Sequence, residues 1–206
     1  MPRSSIPPMP PGAAAAPALI APKVVVEVFL DLNCPPSRRC FKTLYEGGII
    51  EAYKDKAVQI LFHNVIQPWH AVGAWMHEAA LAVKDLQPSA FYPYANKVFD
   101  AMERFSDVNT EEMTRKEVMA ALIALGVEAG VPRPALEERL ALQGGSSGNK
   151  GTATTQAVKW ACKYHRRRGV HVTPTVFVNG LEASEVSSAW GVEEWQRLLD
   201  ECLEAR

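Results

Sequence analysis

The chain has 206 residues, with 22 basic and 23 acidic side chains and a formal charge of −1, enough for one good-sized core or a core with an inserted unit. So even a balance excludes a general attraction to nucleic acid or to an anionic membrane, and no apolar run approaches the roughly 18 residues that span a bilayer. Four cysteines, Cys34, Cys40, Cys162 and Cys202, lie scattered along it; they form neither a stapled secreted framework nor the paired Cys/His spacing of a zinc site, so no metal is expected.

Residues 1–22 are rich in proline and alanine. Arg3 ahead of Ala13 to Ile20 has the outline of a signal peptide, but Pro7, Pro8, Pro10, Pro11 and Pro17 break any apolar helix there. A flexible tail on a cytoplasmic protein is expected. Val24–Leu32 is an apolar, β-branched run that predicts a buried strand. It empties into Cys34, and a helix is expected from Pro35 to Lys54, since proline is tolerated at a helix's first positions. Gly47-Gly48 kinks or ends that helix.

Ala57–His63 predicts a second strand, ended by the turn around Pro68. Helical spacing follows over Ala71–Leu86, over Phe91–Phe105 with Tyr94, Val98 and Met102 on one stripe, and over Met113–Val127 with Thr110 as cap. A short helix over Pro134–Leu142 gives way to the Gly/Ser connector 144–148. Thr152–Arg168 predicts a helix stopped by Gly169, with Lys163 and Arg166 to Arg168 at its negative end. Val170–Val178 predicts a strand, another is expected near Glu185–Ser188, and Val192–Glu204 is an amphipathic closing helix. Mixed segments at 23–70 and 151–206 around a purely helical block at 71–150 argue for an α/β fold with a helical insertion.

Chemistry points to Cys34. At the positive end of a helix a thiol is favoured in its charged, nucleophilic form. With Cys34 as N-cap and Pro35 and Pro36 following, the free donors for its sulfur are the Ser37 amide and hydroxyl; Arg38 and Arg39 add positive charge. Cys40 lies about 9 Å further along the helix axis, beyond the ~7 Å Cα span of disulfides. It reads as a small buried hydrophobe, as do Cys162 and Cys202. His63, His70 and His77 read as surface or core-edge residues without a role.

A strand–Cys–helix turn followed far downstream by GVHVTPTVFVNG, Gly169–Gly180, resembles the thioredoxin superfamily. The long helical block, with Phe91-Tyr92-Pro93-Tyr94 at a helix start, is similar to its DsbA-like branch. The resemblance implies a thioredoxin fold with an inserted all-helical subdomain. It also implies a cis bond at Thr173–Pro174 facing Cys34, and a substrate-binding face formed by Thr173, Pro174, Pro35 and Pro36. In the family's Cys-x-x-Cys, Ser37 stands where the second cysteine belongs. Six residues before the cysteine, where the family often buries an acid, stands Val28; Glu27 and Asp31 fall on the alternate face.

Cys34 and Ser37 are therefore the expected catalytic pair of a thiol–disulfide oxidoreductase working with one thiol. Its mixed disulfide is resolved by an external thiol such as glutathione, a co-substrate and not a tightly bound cofactor. Protein thiols and disulfides are the expected partners. Two alternatives stand beside it: a non-catalytic peptide-binding or chaperone-like module, and a glutathione-dependent transferase of kappa-like topology. Oligomeric state is not legible.

Overall fold

The computed structural model describes residues 12–15, 22–144 and 148–205. Most of the proline-rich tail and residues 145–147 of the expected connector lie outside them. Within the stretch expected to be flexible, Ala13–Ala14 (β1) forms a strand instead. Lys84 Nζ donates to the Gly12 carbonyl at 2.7 Å and the Tyr92 hydroxyl to the Ala13 carbonyl at 3.2 Å. Only glycine fits at position 12: a Cβ there would stand 2.6 Å from His63 Cε1.

Val24–Leu30 (β2) carries the β-branched run and is the centre of the sheet. It pairs in parallel with Val58–Asn64 (β3) and antiparallel with Thr175–Val178 (β4), in register Val26↔Ile60 and Val26↔Val178. β1 pairs antiparallel with β3, and Leu181–Glu182 (β5) pairs antiparallel with β4, so the described strands run in the order β1-β3-β2-β4-β5. The last strand thus directly follows Asn179-Gly180, whose positive φ angles of 51° and 88° turn the hairpin, and does not lie at 185–188. The strand expected from Val170 begins only at Thr175.

Between the strands lie the helices Pro35–Tyr45 (α1), Ile49–Tyr53 (α2), Gly73–Leu86 (α3), Phe91–Asp100 (α4), Asp107–Thr110 (α5), Arg115–Glu128 (α6), Arg133–Leu140 (α7) and Thr155–Arg167 (α8), and Val192–Glu204 (α9) follows the last strand. The single helix expected over 35–54 is two, because Gly48 adopts φ 79°, a left-handed conformation that glycine takes at no steric cost. The third insertion helix is capped by Thr114, and not by Thr110. Thr114 and Glu117 exchange the reciprocal bonds of a capping box, a pattern that stabilises a helix start by about 1 kcal/mol.

Alternation along β2 divides the two faces. Val24, Val26, Val28 and Leu30 enter the large core, which also takes Phe41 and Leu44 from α1, Trp195 and Leu199 from α9, and residues of α3, α4, α6 and α7. Phe29 points the other way, into a small cluster with Val65, Val170, Phe177 and Tyr164. Phe41 is the hinge of the large core: its ring lies 5.0 Å from Phe99, 5.9 Å from Tyr92 and 6.0 Å from Phe62, centroid to centroid. Burying each such ring stabilises the fold by about 2–3 kcal/mol. Among the described residues no helix is long and apolar enough to cross a membrane.

Candidate functional site

The turn from β2 into α1 presents Cys34. Its backbone is extended (φ −103°, ψ 118°) and it caps α1, with proline filling the first helical positions where no N–H is missed. The Cys34 amide donates to the Asp31 carbonyl at 3.2 Å, and the Arg38 amide to the Cys34 carbonyl at 3.0 Å. The thiol is 8% exposed. Its Sγ lies 3.5 Å from the Thr173 carbonyl oxygen, in donor geometry. The Thr173–Pro174 peptide bond is cis. Cys34, Thr173 and Pro174, 139 residues apart between the first two, thus share one surface. Pro35 is exposed at its edge and Pro36 is half-buried.

Ser37 does not act as the sequence suggests. Cys34 makes no side-chain cap bond. The Ser37 hydroxyl is fully buried and accepts from the Asp31 amide at 3.2 Å. Side chains on a helix tilt toward its N-terminus, and at the third helical position that tilt carries the hydroxyl under the turn. Arg38 and Arg39 are both exposed on α1, and Arg39 Nη2 donates to Ser188 Oγ at 3.2 Å.

Asp31, which sequence reasoning left without a role, organises the turn. Its carboxylate is 0% exposed. Oδ1 accepts from the Asn33 amide at 2.8 Å, and Oδ2 from the Gln67 amide at 2.9 Å and from His70 Nδ1 at 2.9 Å. His77 Nε2, from the second turn of α3, stands 3.3 Å from Oδ1. Burial pushes the carboxyl up, but His77, the Asn33 amide and His70 together outweigh it and hold it down at about 2. Gln67 reaches further: its Nε2 donates to the His171 carbonyl at 3.2 Å. One side chain thereby joins the loop that holds Asp31 to the loop that carries Thr173. An acid three residues before the cysteine was a visible signal; which histidines would reach it was not.

A second buried acid lies on the same face of β2. Glu27 accepts from the Tyr164 hydroxyl at 2.7 Å, faces His63 Nε2 at 3.1 Å and is bridged by Arg168 at 3.0 Å. Burial raises its carboxyl, and His63, Tyr164 and Arg168 bring it down to about 2. His63 packs against Phe29 at 4.6 Å and Tyr164 at 4.8 Å, and burial keeps its pKa below the ordinary value. Val28, six before the cysteine, is instead a core residue.

The described cysteines are all free thiols. Cys40 is 1% exposed in the large core, and burial pushes its pKa up to about 12. Burial also raises Cys162 and Cys202. Among the described residues no group of three or more His, Cys, Asp or Glu side chains could hold a metal ion.

A family model described as thioredoxin (Thioredoxin_4) matches residues 18–201. The structure is similar to that of a putative protein-disulfide isomerase from Pseudomonas syringae, with 24% identity, 87% of this chain and 94% of that one covered, and a TM-score of 0.70. BdbD from Bacillus subtilis, in oxidised form, has 21% identity, 94% of both chains covered and a TM-score of 0.67. MdbA, a thiol-disulfide oxidoreductase from Actinomyces oris, has 17% identity, 89% and 81% coverage and a TM-score of 0.61. No curated relative matches by sequence. The fold is the thioredoxin fold with a helical insertion, DsbA-like.

Proposed function

We propose that this chain, which belongs to the thioredoxin family, carries out thiol–disulfide exchange through Cys34 alone. The thiolate attacks a disulfide R–S–S–R′, forms the mixed disulfide Cys34–S–S–R and expels R′–S⁻. A glutathione thiolate then attacks the mixed disulfide, frees Cys34 as thiolate and leaves as R–S–S–glutathione. Where R is itself glutathione, the products are the reduced protein thiol and glutathione disulfide, so every sulfur and both electrons are accounted for. Such a resolver suits a compartment rich in reduced thiols, such as the cytoplasm expected from the proline-broken N-terminal stretch.

The observation that carries this reading is the placement of Cys34 at the start of α1 against the Thr173 carbonyl, with Ser37 where a resolving thiol would stand. Cys40 supports it from the other side, since a thiol in the core with its pKa pushed up to about 12 offers no resolving thiolate near neutrality. Protein disulfides and protein–glutathione mixed disulfides are the substrate class that fits. Pro35, Pro36, Thr173 and Pro174 frame the face on which they dock.

A glutathionylated peptide assayed with excess reduced glutathione tests the proposal. Turnover should need glutathione, vanish in Cys34→Ser and survive in Cys40→Ser. Turnover that survives Cys34→Ser would overturn it. A binding module is the second reading, favoured by Val172, an apolar side chain 65% exposed directly before Thr173. Peptide binding that persists unchanged in Cys34→Ser, without any turnover, would select it.

A further inference from the structure

His77 occupies an unusual position for a histidine that is 0% exposed. Its Nδ1 lies 2.8 Å from Asn64 Oδ1. With the Asn64 amide oxygen turned to the ring, a group that only accepts, Nδ1 is the nitrogen that carries the proton. The other nitrogen, Nε2, stands between two groups with opposite demands. The Leu32 amide donates to it at 3.2 Å, and Asp31 Oδ1 lies 3.3 Å away.

One atom cannot satisfy both. In the neutral ring, the single lone pair of Nε2 accepts from the Leu32 N–H, and Asp31 Oδ1 meets no donor there. In the imidazolium, Nε2–H donates to Asp31 and the buried Leu32 amide loses that acceptor. Leu32, Asn33 and Cys34 are consecutive, and Asp31 also holds the Asn33 amide and the Cys34 amide. A proton added at Nε2 therefore redistributes the hydrogen bonds of the turn that presents the sulfur.

We propose that His77 is a positioning residue for Cys34, and that the proton at its Nε2 decides between the Leu32 amide and the Asp31 carboxylate and so tunes the reactivity of the thiol. The inference rests on Cys34 being the reacting thiol. Other titratable groups surround the pair. His70 enters from the loop after β3, with its Nδ1 on Asp31. His165 of α8 feels the charges of His77 and His171. Glu78, beside His77 on α3, is turned away to Arg115, Thr152 and Thr155. Imidazoles change charge between about pH 5 and 8.

The test uses the full chain and has two arms. In the first, histidine labelled with nitrogen-15 is followed from pH 5 to 9. His77 should appear as the Nδ1–H tautomer at high pH and as imidazolium at low pH, with the Leu32 amide proton shifting at the same midpoint. A ring holding its proton on Nε2 in the neutral form, or unchanged across the range, would overturn the proposal without any variant. In the second arm, the iodoacetamide rate at Cys34 is measured against pH. The wild type should give a two-step curve with one inflection at the His77 midpoint, and His77→Gln should lose that inflection. A reactive Cys34 without the inflection, or with one that survives His77→Gln, overturns this inference alone. A Cys34 inert to iodoacetamide and to glutathione disulfide at every pH would instead sink the thiol reading, and the role of His77 with it.

Discussion

The Cys34 sulfur and the Thr173 carbonyl oxygen stand 3.5 Å apart although 139 residues separate them in sequence. β2 and β4 are hydrogen-bonded neighbours, with Phe29 opposite Thr175, so the exit of one strand and the entry of the other meet at one edge of the sheet. The chain between them, with α1, α2, β3 and the helices α3 to α8, does not part them. Thr175 Oγ1 closes the entry loop by donating to the Val172 carbonyl at 2.8 Å.

Among the four thiols, reactivity should follow placement. Under native conditions near pH 8, iodoacetamide should modify Cys34 first and Cys40 last. Cys40 sits in the core with its pKa pushed up to about 12, and burial raises Cys162 and Cys202 as well. Peptide mapping of partly alkylated protein reads the order. Early labelling of Cys40 would contradict the packing described for α1.

Gln67 should matter beyond its size. It donates from its backbone to Asp31 and from its side chain to the His171 carbonyl. Gln67→Ala keeps the first bond and removes the second, leaving the loop before Thr173 less tightly held. A loss of about 1 kcal/mol of stability is expected, together with a slower reaction of Cys34 with glutathione disulfide. Denaturant unfolding and stopped-time mass spectrometry measure the two. A stability loss with unchanged Cys34 rate would show that the bridge has no bearing on the thiol.

Acid should unfold the protein in two stages. Burial depresses His63 and His165, so their contribution is present above the unfolded value near 6.5 and is lost as pH falls through the lower folded values. Asp31 falls from 3.8 to about 2 and Glu27 from 4.5 to about 2. Their contribution is present above pH ~4–5 and is lost as pH drops toward 2. The acids contribute about 2–3 kcal/mol each at neutrality. Urea midpoints against pH should fall first below about pH 6.5 and again below about pH 4.5, and Asp31→Asn should flatten the second fall while lowering the plateau. A flat profile down to pH 3 would contradict both buried clusters.

Ser37→Cys places a thiol at i, i+3 from Cys34 on the first turn of α1. Mild oxidation should then yield an internal disulfide, seen as a loss of two hydrogens by intact mass, and insulin reduction should rise above the wild type. Because the Ser37 hydroxyl accepts the Asp31 amide, the variant should also be less stable by about 1 kcal/mol. Failure to form the disulfide would show that the turn does not bring the two positions together.

Much of this was legible in the residues. Val24–Leu32 declared a buried strand, which in the structure ends at Leu30, Pro35-Pro36 a helix start, and Val192–Glu204 an amphipathic helix with the bounds it has in the structure. Cys34 as N-cap followed from proline at the next two positions. The resemblance on Gly169–Gly180 supplied the partner loop. What escaped was tertiary. Ala13–Ala14 is a strand because α3 and α4 side chains hold it against β3, and nothing local in AAAA announces that. Ser37 was expected to face the sulfur, whereas the direction of a short side chain at a helix start depends on what lies beneath the turn. His70 and His77 carry no pattern of their own; one comes from the loop after β3 and the other from α3, and only the tertiary fold brings both to Asp31.

The most direct measurement is intact mass after exposure of the full chain to oxidised glutathione, wild type beside Cys34→Ser. The account predicts one glutathione adduct on the wild type, mapped to Cys34, reversed by reduced glutathione without any internal disulfide, and absent from Cys34→Ser. An adduct of equal yield on Cys34→Ser, or no adduct on Cys34 in the wild type, would contradict it.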